Sequence, residues 1–354
     1  MKSFEYAAPK TLEEATGLLS DRWGEAEILA GGTDLITSLK QQLTSPKRVV
    51  SLKNIGDLKG IESKGKGLHI GATTTLAELI ANSSVQQNFP ALITAAKNIA
   101  SPQLINMGTV GGELCQRPRC WYYRNGFGLF GSKMETSTKL VEGTENARVN
   151  AVATTKTSTS LVRDGDNRYH AIFGNNGPAL FVSPSSLGPV FVLLGATMII
   201  AGAKGQTREV PAAKFFQTPK SEADRETALK PSEILTGIEV PITGLKNAVY
   251  EIRHRQVIDW PYVTAAVAFA QKGASISDAA IVLGHVAPTP WPVPAAAKLL
   301  NGARIDNTVA MKCGDAAVQG AKPLSKNEYK IQLVKVAVKR AILAAGGIGK
   351  GVEG

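Results

Sequence analysis

The sequence predicts an α+β chain of more than one domain, and three observations carry that prediction. Short apolar runs of strand length, such as those ending at Ala30, Leu52 and Ala72, stand among segments of helical periodicity, so both element types are expected. Helix starts are signed by capping boxes at Thr11 to Glu14, Thr75 to Glu78 and Ser325 to Glu328, each followed by apolar residues on one face. Two glycine-dense loops, Ala30-Gly31-Gly32-Thr33-Asp34 and Gly108-Thr109-Val110-Gly111-Gly112, sit at strand or helix ends. Glycine there lets the backbone take positive φ and bring N–H groups close to an anion.

In chain order, Thr11 opens a first helix that places Leu12, Ala15, Leu18 and Leu19 on one face. Residues 28–30 read as a strand, the first glycine loop follows, 35–43 repeats Leu35, Ile36, Leu39 and Leu43 at helical spacing, and 48–52 is a second strand. This β-loop-α-β unit lacks the spacing of a dinucleotide Rossmann fingerprint. A strand at 68–72, a helix from Thr75 and another over 91–99 lead into the second loop. From 131 to 166 the chain turns polar and repetitive (ETSTKL, ATTKTSTS), which predicts a mobile or lightly structured excursion. Residues 190–201, 208–211 and 233–241 read as strands of a mixed sheet with a turn at 204–206. After the Thr243-Gly244 turn the pattern resets, with strands at 249–252, 262–270 and 279–284 and helices at 295–300 and 325–343.

Either glycine loop alone is a tight turn; the two together point to a diphosphate held from both sides. The chain has 354 residues, 44% apolar and 19% charged, which is ordinary globular composition, and no run of about 18 apolar residues marks a membrane span or signal peptide. The net charge of +11 raises nucleic acid as a partner, but the basic residues are scattered and aromatics make up 6%, so stacking platforms are scarce and that class is set aside. Three cysteines, Cys115, Cys120 and Cys313, are too few for a disulfide scaffold, and the four histidines have no metal-ligand spacing.

The pairing of AGGTDL (Ala30 to Leu35) with GTVGGELCQRPRCWYYR (Gly108 to Arg124) resembles the FAD-binding subunit of the molybdenum hydroxylases, the xanthine dehydrogenase, carbon monoxide dehydrogenase and aldehyde oxidoreductase group. The resemblance covers nearly the whole chain. With NRYHAI at Asn167 to Ile172, it is nearest the bacterial subgroup that usually carries an extra [4Fe–4S] cluster. It implies a two-part FAD-binding domain of the vanillyl-alcohol-oxidase or PCMH type over 1–241 (a small lobe 1–55, a larger lobe 56–241), then a smaller α+β domain over 246–350 of the CO dehydrogenase flavoprotein type. It also implies that Ala30, Gly31, Gly32, Thr33, Asp34 and Leu35, with Thr109, Gly111 and Gly112, wrap the FAD pyrophosphate. Ser186 would bond the ribityl or flavin group, Ile234 would lie against the flavin ring, and Arg253 or Arg255 would face it. The chain departs from the family at three places. Glu113 stands where asparagine is common, and a carboxylate beside a phosphate is unfavourable unless it points away; Ser186 replaces an aspartate; and only Cys120 matches a cluster ligand. A cubane needs four ligands, so no [4Fe–4S] centre and no metal is expected in this chain.

With no nucleophile-base pair or metal cluster in view, the sequence is read as an electron-transfer subunit of a heterotrimer. By resemblance, a large partner holds the molybdenum cofactor, a small partner holds [2Fe–2S] centres, and FAD here passes electrons to NAD, oxygen or a carrier. Alternatives are a flavin-free scaffold subunit or a stand-alone flavin oxidase. The expected compartment is the cytoplasm, or the periplasm where a partner carries an export signal.

Overall fold

The computed structural model describes residues 1–99, 101–141, 151–255 and 259–348. The first sheet is parallel: Arg48–Ser51 lies between Glu5–Ala7 and Ala26–Leu29, with Val50 facing Ala7 on one side and Ile28 on the other. Parallel neighbours need crossovers, which the helices Leu12–Gly17 and Leu35–Lys40 supply. The Thr11 capping box forms as expected: its hydroxyl accepts from the Glu14 N–H at 3.2 Å and the Glu14 carboxylate reaches back to the N–H groups of Lys10 and Thr11.

The second sheet is antiparallel, in the order Ile61–Lys64, Gly67–Gly71, Ile234–Pro241, Thr197–Ala201 and Thr207–Pro211. Leu68, Ile70, Met198, Ile200 and Ile238 bury one face against the helices Leu76–Ala81, Pro90–Lys97 and Leu187–Leu193. The expected strand over 190–201 therefore divides, helix first and strand only from Thr197. Its apolar residues fit either state, and the helix start is capped from far away: the Glu113 carboxylate accepts the N–H of Ser186 at 2.7 Å and of Leu187 at 3.4 Å. A local hydroxyl shares the task, with Ser185 accepting the Gly188 N–H at 2.8 Å.

The polar stretch also departs from expectation. Ser132–Val141 and Ala151–Ser160 pair antiparallel through a ladder from Ser132 opposite Ser160 to Val141 opposite Ala151. Threonine and valine favour extended backbone, and a strand polar on both faces mimics a loop in composition. Residues 142–150 lie outside the described residues.

The third sheet is the antiparallel set Lys246–Ile252, Val263–Lys272, Ser275–Gly284 and Trp291–Pro292. Pro294–Lys298, Asn307–Ala317 and Tyr329–Ala345 pack on it. Val334, Ala337, Val338, Ala341 and Ile342 are buried as their spacing predicts. The expected cap at Ser325 is not used; its hydroxyl accepts instead from the Asn167 amide at 2.9 Å, and the helix begins at Tyr329. The Asn307–Ala317 helix, absent from the sequence reading, is capped by Asp306 on the Val309 N–H at 2.8 Å.

Lys330 joins this helix to the rest. It is 1% exposed, and its ammonium donates to the carbonyls of Tyr169, His170 and His285 at 3.1, 3.1 and 2.8 Å. Three donors thus meet three acceptors, and removing the ammonium strands the carbonyls away from water. Lys330→Met is expected to lower unfolding free energy by about 3 kcal/mol. A denaturant titration checks it, and an unchanged midpoint would contradict that reading of the contact.

Candidate functional site

The first glycine loop carries the chain from Ala26–Leu29 into Leu35–Lys40. Gly32 sits at φ +78, open to glycine, and a Cβ on Gly31 would stand 2.0 Å from the Met107 carbonyl oxygen. The two loops therefore touch, with Met107 and Gly108 leading directly into the second. There Thr109 caps Val110–Leu114, its hydroxyl accepting the Gly112 N–H at 3.1 Å.

The second loop differs from expectation in one respect. Its Val110 and Gly111 N–H groups donate to the Thr74 and Ala72 carbonyls at 2.9 and 2.8 Å, and Gly112 donates to Thr109. A Cβ on Gly111 would meet that of Ala72 at 2.8 Å, so this glycine is required by packing against the 67–71 strand end. Among the described residues, the N–H groups of Gly32, Thr33 and Thr109 have no protein acceptor. The donors on offer thus come mainly from the first loop.

Asp34 binds these pieces together. Its carboxylate accepts the Arg117 N–H at 3.0 Å and pairs with the guanidinium groups of Arg119 and Arg124, the latter at 2.9 Å. Arg124 also donates to the Ser38 hydroxyl and to the carbonyls of Pro118 and Arg117. Burial alone would raise the Asp34 pKa; the attraction of Arg119 and Arg124 and the Arg117 N–H outweigh it and hold it below its ordinary value. Asp34 therefore faces the protein as an ionic crosslink.

A cavity of about 540 Å³ opens between the loops, within the usual range for small-molecule sites. Every candidate except Ser186, Arg253 and its alternative Arg255 lines it: Ala30 to Leu35, Thr109, Gly111, Gly112 and Ile234. A second cavity of about 120 Å³ shares Thr33, Asp34, Thr109 and Gly112 with it and is lined further by Ser186, Arg253 and Trp260. Ser186 and Arg253 thus stand on the far side of the loops, toward the third sheet.

At that junction the departures resolve. Glu113 points away from the large cavity, and besides its two backbone donors it accepts the Ser185 hydroxyl at 2.6 Å. Burial pushes its pKa up to about 7 against the pull of those hydrogen bonds. The Ser186 hydroxyl donates to Glu251 at 2.7 Å, so a carboxylate from the third sheet stands beside it. Arg253 pairs with Glu251 and donates to the Asn98 carbonyl. Arg255 donates its backbone N–H to the Asp259 carboxylate at 3.3 Å and lines neither cavity.

Cys120 Sγ lies 3.1 Å from His170 Nε2, a pairing that sequence separation hid. Burial raises both thiols at the site, Cys115 to about 12. Among the described residues no group of three or more His, Cys, Asp or Glu is placed to hold a metal ion.

The sequence reading gave no role to Trp23, Arg117, Arg225 or Glu226, which also line the large cavity. Arg117 lies in the motif that follows the second loop, but no motif marks Trp23, Arg225 or Glu226, and Trp23 and Arg225 meet from positions about 200 apart in the chain.

A family model described as FAD binding domain in molybdopterin dehydrogenase matches residues 2–243, and one described as CO dehydrogenase flavoprotein C-terminal domain matches 248–345. The carbon monoxide dehydrogenase medium chain of Afipia carboxidovorans is 30% identical over 346 residues, 96% of each chain. The aldehyde oxidoreductase FAD-binding subunit PaoB of Escherichia coli is 28% identical over 95% of this chain and 96% of its own. Among solved structures, reconstituted CO dehydrogenase from Oligotropha carboxidovorans superposes with a TM-score of 0.72 at 25% identity, covering 98% of this chain and 99% of that one.

Two outcomes follow from this geometry. Asp34→Asn should destabilise the protein by about 2 kcal/mol at neutral pH. Because the folded pKa is depressed, that stabilisation is present above the unfolded value of about 4 and is lost as pH falls through the folded one, so wild type and variant should converge in acid. Thermal melts from neutral pH downward check the sign, and a gap that widens in acid would contradict it. Gly31→Ala should cost about 2 kcal/mol or more through overlap with Met107, measured by denaturant midpoint.

Proposed function

Since the chain belongs to the family of FAD-binding domains of molybdopterin dehydrogenases, whose homologues are oxidoreductase subunits, we propose that it binds FAD between its two glycine loops and serves as the electron-transfer subunit of a molybdenum hydroxylase. The observation that carries the reading is the cavity between the loops. It fits the group: free N–H donors of Gly32, Thr33 and Thr109 suit a diphosphate, and glycine at 31 and 32 permits the close approach. Bound there, FAD supplies reversible uptake and release of electrons.

The chain's own residues then have distinct tasks. The first loop binds and orients the diphosphate, and the Asp34 crosslink keeps that loop in place. Ile234, 1% exposed, forms part of an apolar wall that excludes water. Ser186, held by Glu251, and Arg253 place polar groups at the second cavity, toward which the flavin ring would extend. By the chemistry of its relatives, this subunit receives electrons from [2Fe–2S] centres of a small partner, after substrate oxidation at the molybdenum cofactor of a large partner. It delivers them to an external acceptor: NAD, oxygen or a carrier. No helix of the described residues is long and apolar enough to cross a membrane. A cytoplasmic setting, or export with a partner, accords with the proposal.

Thr33 is exposed, lines both cavities and carries no positive φ, so a longer side chain there burdens the fold little. Thr33→Glu places a carboxylate where the diphosphate would lie. The expected outcome is loss of the flavin absorbance from purified protein, with unchanged melting of the flavin-free form. Full flavin retention would overturn the placement.

A further inference from the structure

The small cavity has an outer wall that no step above has used. Thr33, Asp34, Thr109 and Gly112, shared with the large cavity, bound it on the side of the loops, and Pro184 and Ser186, both buried, bound it on another. Among the described residues, the large apolar side chains that line it and are also exposed to solvent are Leu104, 39% exposed, and Trp260, 43% exposed. These two therefore stand between the cavity and the outside.

Trp260 is fastened at both ends. Its backbone precedes Pro261, whose ring restricts the residue before it to extended conformations, and Tyr262 then donates its N–H to the Ile252 carbonyl at 2.7 Å, which ties the segment to the third sheet. The Arg119 guanidinium covers the indole, 4.3 Å from the ring centroid, and tryptophan is the aromatic side chain that holds a cation best. Arg119 in turn pairs with Asp34. The place of the indole beside the cavity is thus set by the same crosslink that holds the first glycine loop.

Leu104 is set on the helix Pro102–Met107, which has no buried residue, so shortening that side chain leaves the core untouched. A wall of this kind has a chemical use. Keeping water and dissolved reactants from a reduced cofactor prevents its electrons from leaving by side reactions.

We infer that Trp260, together with Leu104, is the wall that keeps dissolved oxidants from the flavin ring and so determines which electron acceptors the subunit serves, favouring an acceptor that binds the protein and disfavouring free oxygen. The inference rests on the flavin reading above and adds to it a residue that decides among the acceptors left open there.

The test uses the purified full-length chain loaded with FAD, reduced anaerobically with stoichiometric dithionite and mixed with oxygen or with ferricyanide. Reduced flavin passes a pair of electrons and a pair of protons to oxygen, forming hydrogen peroxide, or single electrons to ferricyanide, and the return of the flavin absorbance reads both rates. Trp260→Ala should speed reoxidation by either oxidant about tenfold, and Leu104→Ala about threefold. Trp260→Phe, which keeps a ring under Arg119, should stay within about twofold of wild type. Flavin content and midpoint potential should be unchanged in all three variants, a combination that a merely structural role for Trp260 would not produce. Equal rates in wild type and folded Trp260→Ala, or a faster rate accompanied by lost flavin or a shifted potential, would overturn the wall. Where Trp260→Ala fails to fold, Leu104→Ala decides, and an unchanged rate there would overturn it. A wild-type chain that takes up no FAD would overturn the flavin reading and the wall with it, a result distinct from flavin-loaded proteins of equal rate.

Discussion

The Asp34 carboxylate is the interaction on which the site depends. It lies in the first glycine loop, and it gathers the Arg117 N–H, Arg119 and Arg124 from the segment that follows the second. A part-buried carboxylate held by two guanidinium groups and a backbone donor is fixed in place far more firmly than an exposed ion pair. Position follows from it: the first loop is pinned against Met107 and Gly108, and the cavity between the loops keeps its width. The sequence made Asp34 a candidate for touching a ligand; in the structure it lines the cavity while its carboxylate is held by Arg119, Arg124 and the Arg117 N–H.

A second constraint acts at the junction with the third sheet. Glu113 and Ser186, two of the three departures from the family pattern, answer one another across it. Glu113 turns from the large cavity to cap the 187–193 helix, and Ser186 is met by Glu251. The acid missing at one position is thus supplied from another strand, paired with Arg253 and held at the smaller cavity. Asn247 adds to the seam by accepting the Ala91 N–H at 3.0 Å and donating to the Asn88 carbonyl at 3.0 Å.

What the sequence disclosed and what it hid divide along physical lines. Thr11, Thr75 and their glutamates act within three residues, so their capping boxes were legible, and the apolar spacing of the last helix was equally local. The helix at 187–193 was hidden because its apolar residues suit a strand as well and part of its cap comes from Glu113, and the paired strands 132–141 and 151–160 because their polar composition imitates a loop. In the site, the glycine loops were visible as motifs. That the N–H groups of Val110 and Gly111 serve the Thr74 and Ala72 carbonyls was not, since it depends on which strand end packs there. Trp23 and Arg225 were invisible for the same reason: only the closed fold makes them neighbours.

The family model places the chain among FAD-binding domains, and the cavity between its loops is where the proposal puts the flavin. The most direct measurement is the identity and amount of the small molecule released when the purified full-length chain is denatured, read by mass spectrometry against protein concentration. The account predicts FAD at one molecule per chain. Release of FMN alone, or a folded chain that neither carries nor takes up flavin, would contradict it.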